Sequence, residues 1–190
     1  MTTTWNAGAV ARLFALGLAG GILQLTTVSQ ITVLGVPADL APLLAASVGL
    51  LLGSVPGACF GFGLGLLMDT ALAQTLGITS LVLLTAGYGA GRLRELRDPA
   101  HALVPVAVGA AATAVAMLGF TVMQFLLGVD APVSVLLVRQ IVLTIVLNTL
   151  LALPVYLVCR RVLAPLLPDD PRRRRRRAYT TGGLSPLSRA

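Results

Sequence analysis

Six long apolar segments, almost without charge, occupy most of this chain and constrain what it can fold into. Of the 190 residues, 56% are hydrophobic and only 11% are charged, and the mean hydropathy is +0.90. In a soluble domain about a quarter of the residues are charged, so a free globular enzyme is not expected. Lipid is the alternative solvent, in which a helix of about 20 apolar residues crosses the hydrocarbon layer. We therefore predict an all-α, polytopic membrane protein.

Glycine, proline and polar residues separate the six segments from one another. The first segment has Arg12 near its start and resembles a secretory signal. The apolar character continues through the whole chain, so we interpret this segment as a span. The second is short for a transmembrane helix. The six predicted transmembrane helices cover approximately residues 10–30, 39–52, 57–72, 78–91, 102–127 and 133–159.

The arginines orient these helices, because basic residues are retained on the cytoplasmic side of a membrane. With the amino terminus inside, six spans place Arg12, the loop that contains Arg92, and the whole carboxyl-terminal tail on the cytoplasmic side. Thirteen of the 14 arginines are then cytoplasmic, and only Arg139 is not. Five spans would put the tail and the Arg92 loop on opposite sides. The sequence therefore predicts a multi-pass membrane protein with both termini in the cytoplasm.

The net charge of +7 belongs to the tail. Residues 1–170 contain seven arginines and seven acidic residues, whereas residues 171–190 contain seven arginines and no acid. We predict a six-span membrane domain over residues 1–167 and a basic, largely disordered cytoplasmic tail over residues 168–190. Tail arginines are expected to bind anionic lipids, at about 1 kcal/mol each, with an acidic cytoplasmic partner as the alternative, rather than nucleic acid. Six of them are consecutive: Arg172, Arg173, Arg174, Arg175, Arg176 and Arg177.

Four glycines in the third segment and the turn before it recur at four-residue spacing. Small residues at positions i and i+4 form a groove that lets another helix approach closely in lipid. We predict close helix packing along this groove, either within the monomer or in a homodimer. The four residues are Gly53, Gly57, Gly61 and Gly65.

Two ionisable residues are predicted at similar depth in the outer half of the membrane. Asp69 is near the outer end of the third segment, and Arg139 is about two turns into the sixth. An ionised carboxylate inside a bilayer costs roughly 2.5–3.5 kcal/mol, so we interpret the two residues as an intramembrane pair, joined directly or through water. The alternative is that Asp69 is solvated at the interface while Arg139 extends outward to it. The amides Gln124, Gln140 and Asn148 are predicted to form interhelical hydrogen bonds.

Catalytic and metal-binding patterns are absent from the sequence. The single histidine, His101, has no cluster of cysteines or carboxylates beside it that would suit a metal. Neither a G-x-S-x-G motif nor a phosphate-binding loop occurs. Cys59 and Cys159 are in apolar stretches and are interpreted as buried thiols. We therefore predict a protein that is not an enzyme and that has no cofactor and no metal.

The stretch that begins at residue 61 resembles a motif of the rod shape-determining protein MreD family. That family shows G-F-x-x-G-x-x-x-D followed by L-G. The likeness covers about residues 10–163, and the arginine tail is an added element. The positions of this sequence that match the motif are Gly61, Phe62, Gly65, Asp69 and Gly77.

The resemblance implies a non-enzymatic scaffold and regulatory subunit of the bacterial cell-elongation complex in the inner (cytoplasmic) membrane. Such proteins bind the bitopic scaffold MreC and, through it, MreB, RodA and a class B transpeptidase, and thereby regulate lateral peptidoglycan synthesis and rod shape. Their fold is similar to the S components of energy-coupling-factor transporters. The alternative is therefore a small-solute transport component, in which Asp69, Arg139 and Gln140 line a site open to the outside. The scarcity of polar and aromatic groups favours the scaffold.

Overall fold

The structure, a computed structural model, describes residues 7–28, 32–33, 35–96, 103–128 and 135–167. Within them the fold is all-α apart from one short hairpin. The six helices are α1 (Ala7–Leu23), α2 (Leu40–Leu52), α3 (Ser54–Ala71), α4 (Ile78–Leu96), α5 (Leu103–Leu126) and α6 (Val135–Val162). A π-helical turn (Gln24–Val28) extends α1, the antiparallel strands β1 (Thr32–Val33) and β2 (Val36–Pro37) precede α2, and a 3-10 turn (Ala164–Leu166) follows α6.

The shortest helix, α2, is at the centre of the bundle. It has 13 residues, and every residue from Leu40 to Leu51 is buried. All five other helices contact it, which is why it is apolar on every side. A helix of this length extends about 20 Å, less than the roughly 30 Å of a hydrocarbon layer. The helix α2 is therefore an internal element that its longer neighbours enclose.

Polar contacts define two ends of the bundle. Asn148 of α6 contacts Asp39, which immediately precedes α2, and Arg94 near the end of α4 contacts Leu51 near the end of α2. We refer to these as the Asp39 end and the Arg94 end. Because α6 begins at Val135, about 20 Å of this helix extends beyond Asn148 at the Asp39 end. A recess therefore forms above the start of α2.

Large apolar side chains cover the outer surfaces of α1, α5 and α6. Phe14, Phe125 and Leu150 are each exposed over at least 70% of their surface. Such extensive apolar surface marks contact with a membrane or with other proteins. Judged by length and composition, three of the described segments could cross a membrane: Ala7–Thr26, Leu103–Leu126 and Leu137–Val162.

The third helix begins earlier than predicted. It starts at Ser54 rather than at residue 57, because Gly53 alone separates it from α2. Gly53 has φ = +108°, a conformation that favours glycine. Pro56 falls in the first turn of α3, where the N–H that proline lacks would have no helical partner. A proline at this position therefore does not interrupt the helix.

The fourth helix ends later than predicted. It continues to Leu96, so Arg92 and Arg94 belong to a helix and not to a loop. Arg92 forms an exposed ion pair of 3.1 Å with Glu95, three residues further along the helix, a spacing at which side chains of one helix face meet. Arg97 and the tail arginines 172–177 are outside the described residues.

Candidate functional site

Glycines bring α3 into direct backbone contact with α4 and α2. A Cβ atom placed on Gly57 would be 2.5 Å from the carbonyl oxygen of Gly87 and 2.6 Å from the Cα of Gly49. A Cβ atom placed on Gly61 would be 2.7 Å from the carbonyl carbon of Leu83. Side chains larger than hydrogen at positions 57 and 61 would therefore force the helices apart.

The glycine groove continues toward the Asp39 end but does not include its first predicted member. A Cβ atom on Gly65 would be 2.5 Å from the backbone nitrogen of Ser80. Gly53 is instead the left-handed residue between α2 and α3, and its nearest neighbour is the Glu95 carboxylate, 3.6 Å from a Cβ atom built there. The groove thus comprises Gly57, Gly61 and Gly65, and the helices that occupy it belong to the same monomer.

The carboxylate of Asp69 joins the end of α3 to the start of α4. Its Oδ2 atom accepts hydrogen bonds from the Gly77 N–H at 2.8 Å and from the Ser80 hydroxyl at 3.3 Å. The backbone carbonyl of Asp69 also accepts the Gln74 N–H at 3.0 Å. Gly77 has φ = +98°, so this turn favours glycine. Asp69 therefore provides an acceptor at the amino terminus of α4, where N–H groups lack helical partners.

Asp69 and Arg139 do not form the predicted ion pair. Asp69 is fully buried and is bonded to the start of α4, whereas Arg139 is exposed on α6. The central helix α2 packs against both α3 and α6. The second carboxylate oxygen of Asp69, Oδ1, is buried without a hydrogen-bond partner among the described residues. Asp69 and Arg139 therefore do not contact each other directly.

We expect Asp69→Ala to lower the free energy of unfolding by about 2 kcal/mol, since the Gly77 N–H and the Ser80 hydroxyl lose their acceptor. Arg139→Gln should change it little, because Arg139 is exposed. Thermal unfolding of the purified protein in detergent measures both effects. If exchanging the two charges (Asp69→Arg with Arg139→Asp) proved more stable than Asp69→Arg alone, the contact described here would be wrong.

The start of α2 is held by Asn148, an amide side chain from the distant helix α6. Asn148 Nδ2 donates to the carbonyl of Asp39 at 2.7 Å, and its Oδ1 accepts the Asp39 N–H at 3.1 Å. Nδ2 also donates to the hydroxyl of Thr113 on α5 at 3.1 Å. Asn148 and Thr113 are fully buried. Asn148 therefore forms the predicted interhelical hydrogen bonds. Its partners are the backbone just before α2 and a side chain of α5.

Gln24 and Asp39 complete the hydrogen bonding of the same backbone. Gln24 donates to the Ala38 carbonyl at 3.3 Å and accepts the Leu40 N–H at 2.9 Å. The Asp39 side chain caps α2 by accepting the Ala41 N–H through Oδ1 at 3.1 Å. A helix that begins inside an apolar bundle has no water to satisfy its first N–H groups. These side chains take the place of water.

A cavity of about 420 Å³ occupies the recess above the start of α2. Its walls come from the end of α1, the start of α2, the α3–α4 turn and α5. Among the lining residues that the structure describes, Asp39 alone has a charged side chain. The residues predicted to line a solute site do not converge there: Asp69, Arg139 and Gln140 are not among them. The lining residues are Gln24, Leu25, Asp39, Ala41, Met68, Leu72, Gln74, Thr79, Val82, Leu83, Ala116, Met117 and Phe120.

At the Arg94 end, α4 fastens the turn between α2 and α3. Arg94 donates a hydrogen bond to the carbonyl of Leu51. Glu95 Oε1 accepts the N–H of Ser54 at 3.2 Å and its hydroxyl at 2.6 Å. These hydrogen bonds from Ser54, with one from Arg92, hold the pKa of Glu95 below its ordinary value. The carboxylate is therefore ionised at neutral pH.

Three further residues that the sequence analysis singled out have exposed side chains. Cys59 is exposed rather than buried, beside an apolar groove between α1 and α3, whereas Cys159 is buried as predicted. Phe62, a motif residue, is 39% exposed on the outer surface of α3. Gln140 is exposed as well. None of the three contributes to the polar clusters at the ends of α2.

Sequence reasoning identified Asn148 and Asp69 but missed Gln24 and Glu95. Gln24 is one of several polar residues at the end of the first segment, and Glu95 is one charge among several in its stretch, so neither residue stands out in the sequence. No group of three or more His, Cys, Asp or Glu side chains that could hold a metal ion occurs within the described ranges. The polar groups of the bundle therefore mainly bind helix termini.

Comparison with known proteins places the chain in a family. The family model described as rod shape-determining protein MreD matches residues 6–162, a range that includes all six helices. No curated protein and no solved structure matches the chain.

Proposed function

We propose a function on the premise that this chain belongs to the MreD family of rod shape-determining proteins. Membership indicates a role in determining rod shape. Within that role, the chain acts as a non-enzymatic scaffold and regulatory subunit of the complex that makes lateral peptidoglycan during cell elongation. It binds a bitopic scaffold of the MreC type and, through it, MreB, RodA and a class B transpeptidase. The match over all six helices carries this proposal.

The proposed setting is the bacterial inner membrane, with six membrane-embedded helices and both termini in the cytoplasm. Arginines of three different helices support this orientation, because they lie near the Arg94 end of the bundle: Arg12 on α1, Arg92 and Arg94 on α4, and Arg160 and Arg161 on α6. Retention of basic residues in the cytoplasm makes the Arg94 end the inner one. Residues 168–190 then form a basic cytoplasmic tail that binds anionic lipids.

The roles of the buried polar side chains support a scaffold. Asn148, Gln24 and Asp69 hold the starts of α2 and α4 in place. Tight backbone contact at the glycine groove joins α2, α3 and α4 into a rigid inner unit. The surrounding helices α1, α5 and α6 have exposed apolar surfaces. Such an arrangement suits a protein that binds other membrane proteins along its sides.

Purification and depletion test the proposal together. We expect the tagged full-length chain, extracted from its own membranes in mild detergent, to co-purify with a single-span protein of the MreC type. Depletion of the chain is expected to turn rod-shaped cells round, because wall synthesis loses its lateral direction. Microscopy and mass spectrometry measure the two results.

Two variants of α3 provide a further test and its matched control. Gly61→Val disrupts the contact between α3 and α4 and should fail to restore rod shape, whereas Gly63→Val, at an open position of the same helix, should restore it. Depleted cells that remain rods, or co-purification with transporter ATPases in place of the MreC-type protein, would overturn the proposal. The second of those results would favour the solute transport component.

A further inference from the structure

The cavity above the start of α2 presents the carboxylate of Asp39, which forms no ion pair with any residue that the structure describes. Asp39 Oδ1 caps α2, and no described residue donates a hydrogen bond to its other oxygen, Oδ2. The chain contains no lysine, and none of the arginines that the structure describes lines the cavity. Arg139 lies near the start of α6, at this end of the bundle, and its side chain is exposed. The described lining of the cavity therefore contains one acidic side chain and no basic one.

The remaining walls combine apolar, polarisable and neutral polar groups. Phe120 provides an aromatic ring, Met68 and Met117 provide thioethers, and Gln74 and Thr79 provide neutral hydrogen-bonding groups. Aromatic rings attract cations in partly desolvated sites, and methionine adapts to ligands of varied shape. A phosphate or carboxylate group would meet no basic side chain among the lining residues, so the lining disfavours anions, including phospholipid headgroups.

The shape and rigidity of the cavity also suit a small ligand. Its volume of about 420 Å³ falls within the range of small-molecule sites, roughly 300–1,000 Å³. Asn148 and Gln24 hold the backbone on both sides of Asp39, so the carboxylate is fixed before a ligand arrives. A carboxylate that is already positioned loses little conformational entropy on binding.

We propose that this cavity is a binding site for a small organic cation, an amine or quaternary ammonium compound that carries an apolar group. The ammonium group pairs with Asp39 Oδ2, and the apolar group packs against Phe120 and the two methionines. The site is separate from the scaffold function and does not depend on it. It also differs from the predicted solute site, because none of Asp69, Arg139 or Gln140 contributes to it.

Three probes of similar size and different charge test the site. The full-length chain is purified in a non-ionic detergent and titrated with phenethylammonium, with neutral 2-phenylethanol and with anionic phenylacetate. Calorimetry measures binding, and thermal unfolding measures stabilisation. We expect saturable binding and a raised unfolding temperature with phenethylammonium alone. Equal binding of all three probes, or no saturable binding of the cation at millimolar concentrations, would overturn the proposal.

Variants locate the binding on the cavity. Asp39→Asn removes the charge but keeps a side chain that caps helices well, and it should weaken phenethylammonium binding by about tenfold or more. Phe120→Leu should weaken binding severalfold while leaving Asp39 and its cap in place, so it serves if Asp39→Asn does not fold. Glu95→Gln, at the opposite end of the bundle, should bind as the unchanged protein does. Unchanged affinity in both cavity variants would refute the assignment.

Discussion

Replacing Gly61 with valine is expected to lower the free energy of unfolding by about 3 kcal/mol, the upper part of the range for overpacked cores. A Cβ atom at this position would be 2.7 Å from the carbonyl carbon of Leu83. That neighbour is backbone and not the end of a flexible side chain, so it can move only if α4 moves. Valine adds two further methyl groups at the same place. The contact between α3 and α4 should therefore open.

The matched control is Gly63→Val, two residues along the same helix. A Cβ atom on Gly63 has no heavy atom within 4 Å, so valine should be accommodated, with a small gain from replacing a helical glycine. Thermal unfolding in detergent and the amount of protein in membranes measure both variants. If Gly61→Val were as stable as Gly63→Val, the close packing described for α3 and α4 would be incorrect.

Asn148→Ala is expected to have a similarly large effect, about 3 kcal/mol, because several buried polar groups lose their partners together. The Asp39 N–H, the Asp39 carbonyl and the Thr113 hydroxyl all bond to this one amide. Water cannot replace the amide easily, since Asn148 and Thr113 are fully buried. Unfolding by heat, followed by circular dichroism, measures the loss.

Gln140→Ala makes a comparable change at an exposed position of the same helix, and it should alter stability by less than about 0.5 kcal/mol. Asn148→Asp distinguishes hydrogen bonding from packing, because it keeps the shape but loses the donor to the Asp39 carbonyl. It also brings a second carboxylate close to Asp39. We expect it to be at least as harmful as Asn148→Ala, and an Asn148→Leu protein with unchanged stability would show that only packing matters.

The helices were predictable because their signals are local. Apolar stretches interrupted by glycine and proline predicted six helices, and the described residues form six α-helices. Boundaries were less accurate, as at Ser54 and Leu96, because a single glycine can reverse the chain and a charged helix turn looks like a loop in sequence. The position of a residue within its own apolar segment can also be read from the sequence. This explains why Asn148 and Asp69 could be identified as buried polar residues.

The partner of Asp69 was predicted incorrectly for a physical reason that the sequence itself contains. Asp69 follows Gly65 by four residues, as Gly65 follows Gly61, so all three share one face of α3. That face packs against α4, and Asp69 must point there and not toward Arg139. The roles of Gln24 and Glu95 could not be inferred in the same way, because their partners include backbone groups that every residue type possesses.

The long separation between Asp39 and Asn148 determines when the hydrogen bonds at the start of α2 can form during synthesis. The two residues are 109 positions apart, whereas α2, α3 and α4 pack against neighbours that the ribosome makes in immediate succession. Helices α2, α3 and α4 can therefore assemble early, but the Asp39 N–H and carbonyl lack their Asn148 partner until α6, the last of the described α-helices, is made. Until then these two backbone groups lack their native partner at the centre of the bundle. The packing of α6 is therefore expected to be the step that completes the fold.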